Sequence, residues 1–451
     1  MKKRQKATKK KMQYLFLGNC AFLLIFLALL SVLLFSENDF FQKQGQDTLS
    51  SSAQIEAESS IQTEQKLPQF QEPGQSYSEP EIVESQSDTE ISLSKQGNTE
   101  TLFQQQIQAK IASMTLEEKV AQLFLITPEA LTGFSSVTAA GSTTRDAISQ
   151  YPVGGLIFFE GNLQSRQQVT EMLRKQQEYS QERIGLPLFL SVDEEGGQVT
   201  RIASAFGSEV KAFPDIAEIG ASGDPDRAFQ LGDAIGEYLS DMGFNLDFAP
   251  VADVLTNPDN TVVKRRSYGS NPQSVSEMVK RNLEGLQNHQ VFGCVKHFPG
   301  HGATKGDTHQ GYAYTDKSWE ELRSSDAVPF QESVDWGVRF VMVGHISLPQ
   351  VTGDDTPASL SSYVIGHLLR EELGYDGIVL TDALNMKAVT DQYTSSQAAV
   401  EAILAGNDMI LMPEDFHSAY QGVIDAVENG VILQERLEES LRRILELKMQ
   451  G

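Results

Sequence analysis

The chain is poor in cysteine and in basic charge. Only Cys20 and Cys294 occur in 451 residues. The first lies in an apolar run and the second in an expected buried strand, so a disulfide framework is excluded and cysteine usage leaves the compartment open. Lys and Arg number 36 against 61 Asp and Glu, a formal net charge of -25. A surface this acidic argues against nucleic acid as a partner, because phosphate binding needs a basic face. The scarce basic charge is unevenly placed. Seven Lys and Arg, with no acid, crowd residues 1–13, and residues 14–35 follow without any charge. Twenty-two uncharged residues suffice to cross a bilayer as a helix, and the basic block on their N-terminal side predicts a cytoplasmic tail with the bulk of the chain outside. The flank Ser36-Glu37-Asn38-Asp39 lacks a small-x-small cleavage site. An uncleaved single-pass anchor in the cell membrane is therefore expected over a cleaved signal peptide.

Large apolar side chains are sparse over residues 36–100, where thirteen acids stand against three lysines among Ser, Gln and Glu. Such a segment cannot bury enough surface to offset its chain entropy. It reads as a disordered linker, spanning on the order of 45 Å as a coil. From residue 101 to 451 the texture is globular. Eight short apolar runs are expected as strands: Val120–Thr127, Gly155–Phe159, Leu186–Val192, Asn245–Val251, Gly293–Phe298, Val338–His345, Gly377–Thr381 and Asp408–Met412. Helical patterns alternate with them: Gln164–Ser180, Asp226–Met242, Gln273–His289, Ser318–Trp336, Ser361–Leu373, Ser395–Leu404 and a closing stretch over Ala419–Leu447. Eight strands with intervening helices predict an α/β fold of the (β/α)8 TIM-barrel type, with a doubly wound open sheet as the rival. Leu116–Phe124 also fits an opening helix.

Barrel enzymes carry their chemistry at the C-terminal ends of the strands. Five expected strands end in ionisable residues: Asp193-Glu194-Glu195; Asp253, followed by Arg265-Arg266; Lys296-His297, followed by His301 and Asp307-Thr308-His309; His345; and Asp382. Charged groups at the ends of apolar runs are costly to bury unless paired or functional. General loop polarity accounts for one or two such endings and poorly for five. Four of the seven histidines fall between 297 and 345, which raises a metal site beside acid–base chemistry. His297 and His301 are four apart, but Phe298-Pro299-Gly300 breaks any helix that would set them on one face. No metal and no cofactor are expected.

These residues resemble glycoside hydrolase family 3, in its β-N-acetylglucosaminidase branch. The resemblance rests on five ordered motifs: Met114–Val120, Val192–Arg201 (VDEEGGQVTR), Arg266–Gly269, Lys296–Gly302 (KHFPGHG) with Asp307-Thr308-His309, and Leu380–Met386 (LTDALNM). It covers about residues 105–450. Glu194 stands where many relatives carry Gln, and Tyr268 where Phe is common. The resemblance implies a retaining glycosidase in which Asp382 is the nucleophile and His309 with Asp307 the acid/base dyad. Asp193, Arg266, Lys296 and His297 would hold sugar hydroxyls. A histidine near its neutral-range pKa can both give and take a proton, and a neighbouring aspartate can fix its tautomer. The loop carrying the dyad, Gly302–Gly311, holds three glycines, as a closing loop would. The implied substrate is terminal β-linked N-acetylglucosamine on cell-wall, peptidoglycan-derived glycans, with hydrolysis and phosphorolysis both open. Three rivals differ in class. A family-3 β-glucosidase or β-xylosidase would take its acid/base from a second domain, which is not expected before Gly451. A non-catalytic wall-binding surface protein would have lost catalytic side chains or gained repeats. A metal-dependent hydrolase would need a denser ligand shell. The sequence sets no oligomeric state.

Overall fold

The computed structural model describes residues 87–307, 311 and 313–450, with side chains from residue 100 onward. The basic tail, the apolar run 14–35 and most of the acidic segment lie outside them, as does His309. Among the described residues no helix is long and apolar enough to cross a membrane.

Eight parallel strands form one sheet: β1 Phe124–Ile126, β2 Gly155–Ile157, β3 Phe189–Val192, β4 Leu246–Asp247, β5 Phe292–Phe298, β6 Phe340–Val343, β7 Ile378–Thr381 and β8 Ile410–Leu411. Neighbours follow chain order from β1 to β7, and β8 pairs with β1 through Phe124–Ile410 and Leu125–Leu411. The edge strands β7 and β8 meet in a single parallel bridge, Leu380 to Met409, so the ring nearly closes. All eight expected runs carry a strand. Seven of the strands are shorter than their runs, and β5 begins one residue earlier, at Phe292. The open-sheet rival fails on the β7–β8 bridge, which joins the two edges of the sheet.

Three expectations shift. The first run is split: Leu116–Ala121 is helical, with Thr115 and Glu118 in a reciprocal capping box, and β1 begins only at Phe124. The capping residues outweigh the β-branched character of Val120. Ser318–Trp336 is two helices, Trp319–Arg323 and Val328–Trp336, separated by a turn. Pro329 enters the second helix in its first turn, where its missing N–H costs nothing. A helix over Ser87–Ser113 also crosses the boundary set at residue 101.

Between the strands run Arg166–Ile184, Pro225–Met242, Pro272–Asn288, the π-wound Tyr363–Glu372 and Ser395–Ala405, and Phe416–Glu428 and Gln434–Met449 follow β8. Each buries an apolar stripe, as Leu231, Ile235 and Leu239 do in Pro225–Met242. The barrel interior is filled: Phe189 packs edge-on to Phe340, with ring centroids 5.2 Å apart. Polar groups therefore find room only at the two ends.

Candidate active site

The C-terminal ends of β3, β5 and β7 open into a cleft of about 580 Å³. Asp193, Arg266, Lys296, His297, Asp307 and Asp382 all line it. Six of the seven residues singled out from the sequence thus converge on one cavity. The seventh, His309, lies outside the described residues.

The three acids after β3 are separated by the fold. Glu194 turns away from the cleft. Its carboxylate accepts the backbone N–H groups of Arg201, Ile202 and Ala203 at 2.6, 2.8 and 3.0 Å, and the Tyr238 hydroxyl at 2.9 Å. It therefore ties down the short helix Ile202–Phe206, and burial pushes its carboxyl above the usual range. Glu195 is fully buried and faces the cleft. Arg266 donates to both its oxygens, Nε at 2.7 Å and Nη2 at 2.6 Å, and Lys296 Nζ lies 2.7 Å away. Burial alone would raise its carboxyl, but the two cations outweigh burial and hold it far below. Asp193 accepts from the same ammonium at 2.8 Å. Burial would depress Lys296, yet Asp193 and Glu195 keep it protonated, above its ordinary value. Asp193, Lys296, Glu195 and Arg266 form one chain of alternating charge, with the planar Arg fork matched to a carboxylate.

β5 supplies Lys296 and His297, whose connecting peptide bond is cis. The His297 ring places Nδ1 2.8 Å from Asp253 Oδ2, and the other Asp253 oxygen accepts the backbone N–H of His297 at 3.2 Å and of His301 at 2.6 Å. A fully buried carboxylate thus fixes the His297 ring, with Nδ1–H as donor. His301 stacks edge-on against it at 5.7 Å. Burial lowers His301 to about 4, so it is neutral. The loop that carries it presses onto the backbone of residue 254. A Cβ on Gly302 would sit 1.9 Å from the Val254 carbonyl oxygen, so only glycine fits there.

Asp382 follows β7. Its backbone N–H donates to the Val343 carbonyl at 2.9 Å, and its Oδ1 accepts from Ala383 N–H at 2.8 Å. Burial pushes its carboxyl up, but His297, His345, that N–H and Lys296 together bring it below the usual aspartate value. It is an ionised carboxylate beside cationic and histidine groups, at the end of a buried strand. His345, expected at the end of the sixth strand, is committed to the scaffold: Nδ1 meets Ser359 Oγ at 2.6 Å and Nε2 the Ala383 carbonyl oxygen at 3.0 Å.

Arg201 was missed from the sequence as a separate site residue. It lines the cleft, lies 3.8 Å from Asp193 and stacks over the Phe159 ring at 5.4 Å. Its place at the end of VDEEGGQVTR was the available signal. Asp253 was noted only as a strand ending, and its grip on His297 needs the fold to be seen. Among the described residues no group of three or more His, Cys, Asp or Glu is arranged to hold a metal ion.

The profile of the glycosyl hydrolase family 3 N terminal domain matches residues 115–447, and the chain belongs to that family. Beta-hexosaminidase A of Pseudoalteromonas piscicida is 32% identical over 339 residues, which are 70% of this chain and 56% of that protein. Beta-hexosaminidase LpqI of Mycobacterium tuberculosis is 34% identical over 271 residues, 58% of this chain and 68% of that protein. A solved family-3 β-N-acetylglucosaminidase from a Paenibacillus species superposes with a TM-score of 0.70 at 37% identity, covering 75% of this chain and 63% of that one. The chain thus spans less than two thirds of the length of the first and last of these relatives.

Proposed function

We propose that the protein is a retaining exo-β-N-acetylglucosaminidase, anchored in the cell membrane by residues 14–35 and acting outside the cell on cell-wall, peptidoglycan-derived glycans. The observation that carries the catalytic reading is the meeting of Asp382, Asp307 and the Asp193–Lys296–Glu195–Arg266 chain in one cleft. The relatives named beta-hexosaminidase support the sugar. The basic block and the apolar run that follows it support the location.

In the first step an Asp382 carboxylate oxygen attacks C1 of the terminal sugar. The C1–O bond to the leaving group breaks, and His309 gives its proton to the departing oxygen while Asp307 steadies the imidazolium. In the second step His309 takes a proton from water, which attacks C1 and releases Asp382. Asp193, Arg266, Lys296 and His297 hold the sugar hydroxyls through charge-assisted hydrogen bonds.

The test is the rate of 4-nitrophenol release from the N-acetyl-β-glucosaminide by the full chain, beside Asp382→Ala and His309→Ala. Activity in the parent that collapses in both variants is the expected result. Faster cleavage of the plain glucoside would favour the β-glucosidase reading. Binding to wall fragments without turnover would favour a wall-binding surface protein. The location is tested on intact cells: external protease should remove the barrel from the membrane fraction, and protection of the barrel would overturn it.

A further inference from the structure

Among the described residues, two that are not glycine take a left-handed backbone: Gln290, with φ 59°, and Met412, with φ 44°. A Cβ is crowded in that region, and glycine is its usual occupant. Gln290 has an ordinary cause. It sits just past the helix Pro272–Asn288, where the Val291 N–H closes the helix end on the Leu286 carbonyl at 3.2 Å. Met412 ends no helix. It directly follows the extended chain of β8.

What holds Met412 is the seam of the barrel. Its N–H donates to the Leu125 carbonyl of β1 at 2.9 Å, and its own carbonyl accepts the Asn385 N–H at 3.0 Å, three residues beyond Asp382. Relaxing the backbone would break one of these bonds, so the crowded conformation is fixed from both sides. A glycine would make the same bonds without the crowding. What the methionine adds is its side chain, and that side chain lines the cleft.

The cleft has two unlike sides. In a ring of eight strands β3, β4 and β5 stand opposite β7, β8 and β1. The first side carries the charged chain of Asp193, Lys296, Glu195 and Arg266. The second, beside Asp382, carries Met386, Leu411 and Met412. A pyranose ring has the same division, with hydroxyls around its edge and C–H bonds on its faces. The edge suits the charged side. A C–H face suits thioethers, which are soft and adapt to an uneven apolar surface. We propose, resting on the function inferred above, that Met412 is a sugar-contact residue, whose left-handed backbone sets its thioether against a C–H face of the sugar that meets Asp382.

Met412 is only partly buried, so its truncation spares the core. The experiment measures kcat and KM of the full chain on 4-nitrophenyl N-acetyl-β-glucosaminide, and the urea midpoint, for the parent, Met412→Leu, Met412→Ala and Met412→Gly. Alanine removes the thioether and keeps the backbone crowding, whereas glycine removes both. In the Ala and Gly variants kcat/KM should fall about tenfold, the size of one or two methylene groups withdrawn from contact. The fall should be carried by KM, because the contact is made before and during the reaction alike. Met412→Leu, which keeps an apolar side chain of similar size, should stay close to the parent. The Gly variant should unfold at a higher urea concentration than the Ala variant, the reverse of their order in an ordinary strand. If one truncation fails to fold, the other decides the contact. Truncations that leave kcat/KM unmoved, or that lower kcat alone, overturn the sugar contact and leave the glycosidase reading intact. A Gly midpoint below the Ala midpoint overturns the part given to the backbone. A parent inactive on the aryl glycoside overturns the glycosidase reading, and the contact with it.

Discussion

The two ends of the barrel both bury charge, and they do so differently. At the C-terminal end Asp193, Lys296, Glu195 and Arg266 pair with one another around an open cavity. At the N-terminal end Asp408, just ahead of β8, is closed on all sides. It accepts from Arg370 and Arg443, the Val379 N–H at 3.0 Å and the Ser440 hydroxyl at 2.8 Å. Nearby, Lys448 of the last helix donates to Gln122 Oε1 at 2.8 Å and to the Gly154 carbonyl at 2.7 Å, with its ammonium 5.0 Å from the Phe189 ring centre. The lower charges hold helices to strands, whereas the upper ones keep a cavity lined with ionised groups. A buried ionic cluster is thus no sign of a site by itself. What distinguishes the upper one is the space it faces.

Substitutions at the two ends should break activity and stability separately. The largest effect is expected for Asp382→Ala: kcat on the aryl N-acetylglucosaminide should fall on the order of 10⁴-fold, with a urea midpoint close to the parent's. Asp408→Ala should do the reverse. Removing the shared counter-ion leaves the largely buried Arg370 without its carboxylate, although Arg443 keeps Asp376 and Glu439, at a cost of about 3–5 kcal/mol in denaturant unfolding, while the folded fraction keeps the parent's KM. Arg266→Lys keeps the charge but loses the two-point grip on Glu195. A tenfold to hundredfold fall in kcat/KM is expected, from about 1.5–3 kcal/mol of charged hydrogen bonding. A pH dependence also belongs to the lower end. Burial lowers Lys448 to about 7, so between that pH and about 10.4 the unfolded chain binds a proton that the folded one does not. Stability from this group therefore rises with pH across that window and is flat below it. Lys448→Met should remove the rise, as read from unfolding free energies at pH 6, 8 and 10.

Much of this was legible in the sequence, for definite reasons. Eight apolar runs carry the strands because barrel strands are buried on both faces and cannot alternate. Asp193 and Asp382 stood out because each directly follows such a run, and Lys296 and His297 because they are charged or titratable near the end of one. The resolution stopped where identical side chains must be told apart. Glu194 and Glu195 are adjacent and alike, yet one caps a short helix and the other anchors Arg266, a split set by backbone direction after β3. His345 ended a run as persuasively as His297 did, but Ser359 and the Ala383 carbonyl occupy its ring, and these partners lie 14 and 38 residues away. Long-range partners leave no local mark.

The reach of Lys448 also orders events in time. Its two acceptors lie 326 and 294 residues earlier in the chain, and β1 meets β8 across a similar interval. Contacts of such separation form late, after the loop entropy between them has been lost. Until the last helix docks, Gln122 and the Gly154 carbonyl lack the Lys448 ammonium and the floor of the barrel stands open. A chain stalled before that helix should therefore hold most of its secondary structure, expose apolar strand surface to chaperones and proteases, and show no hydrolytic activity.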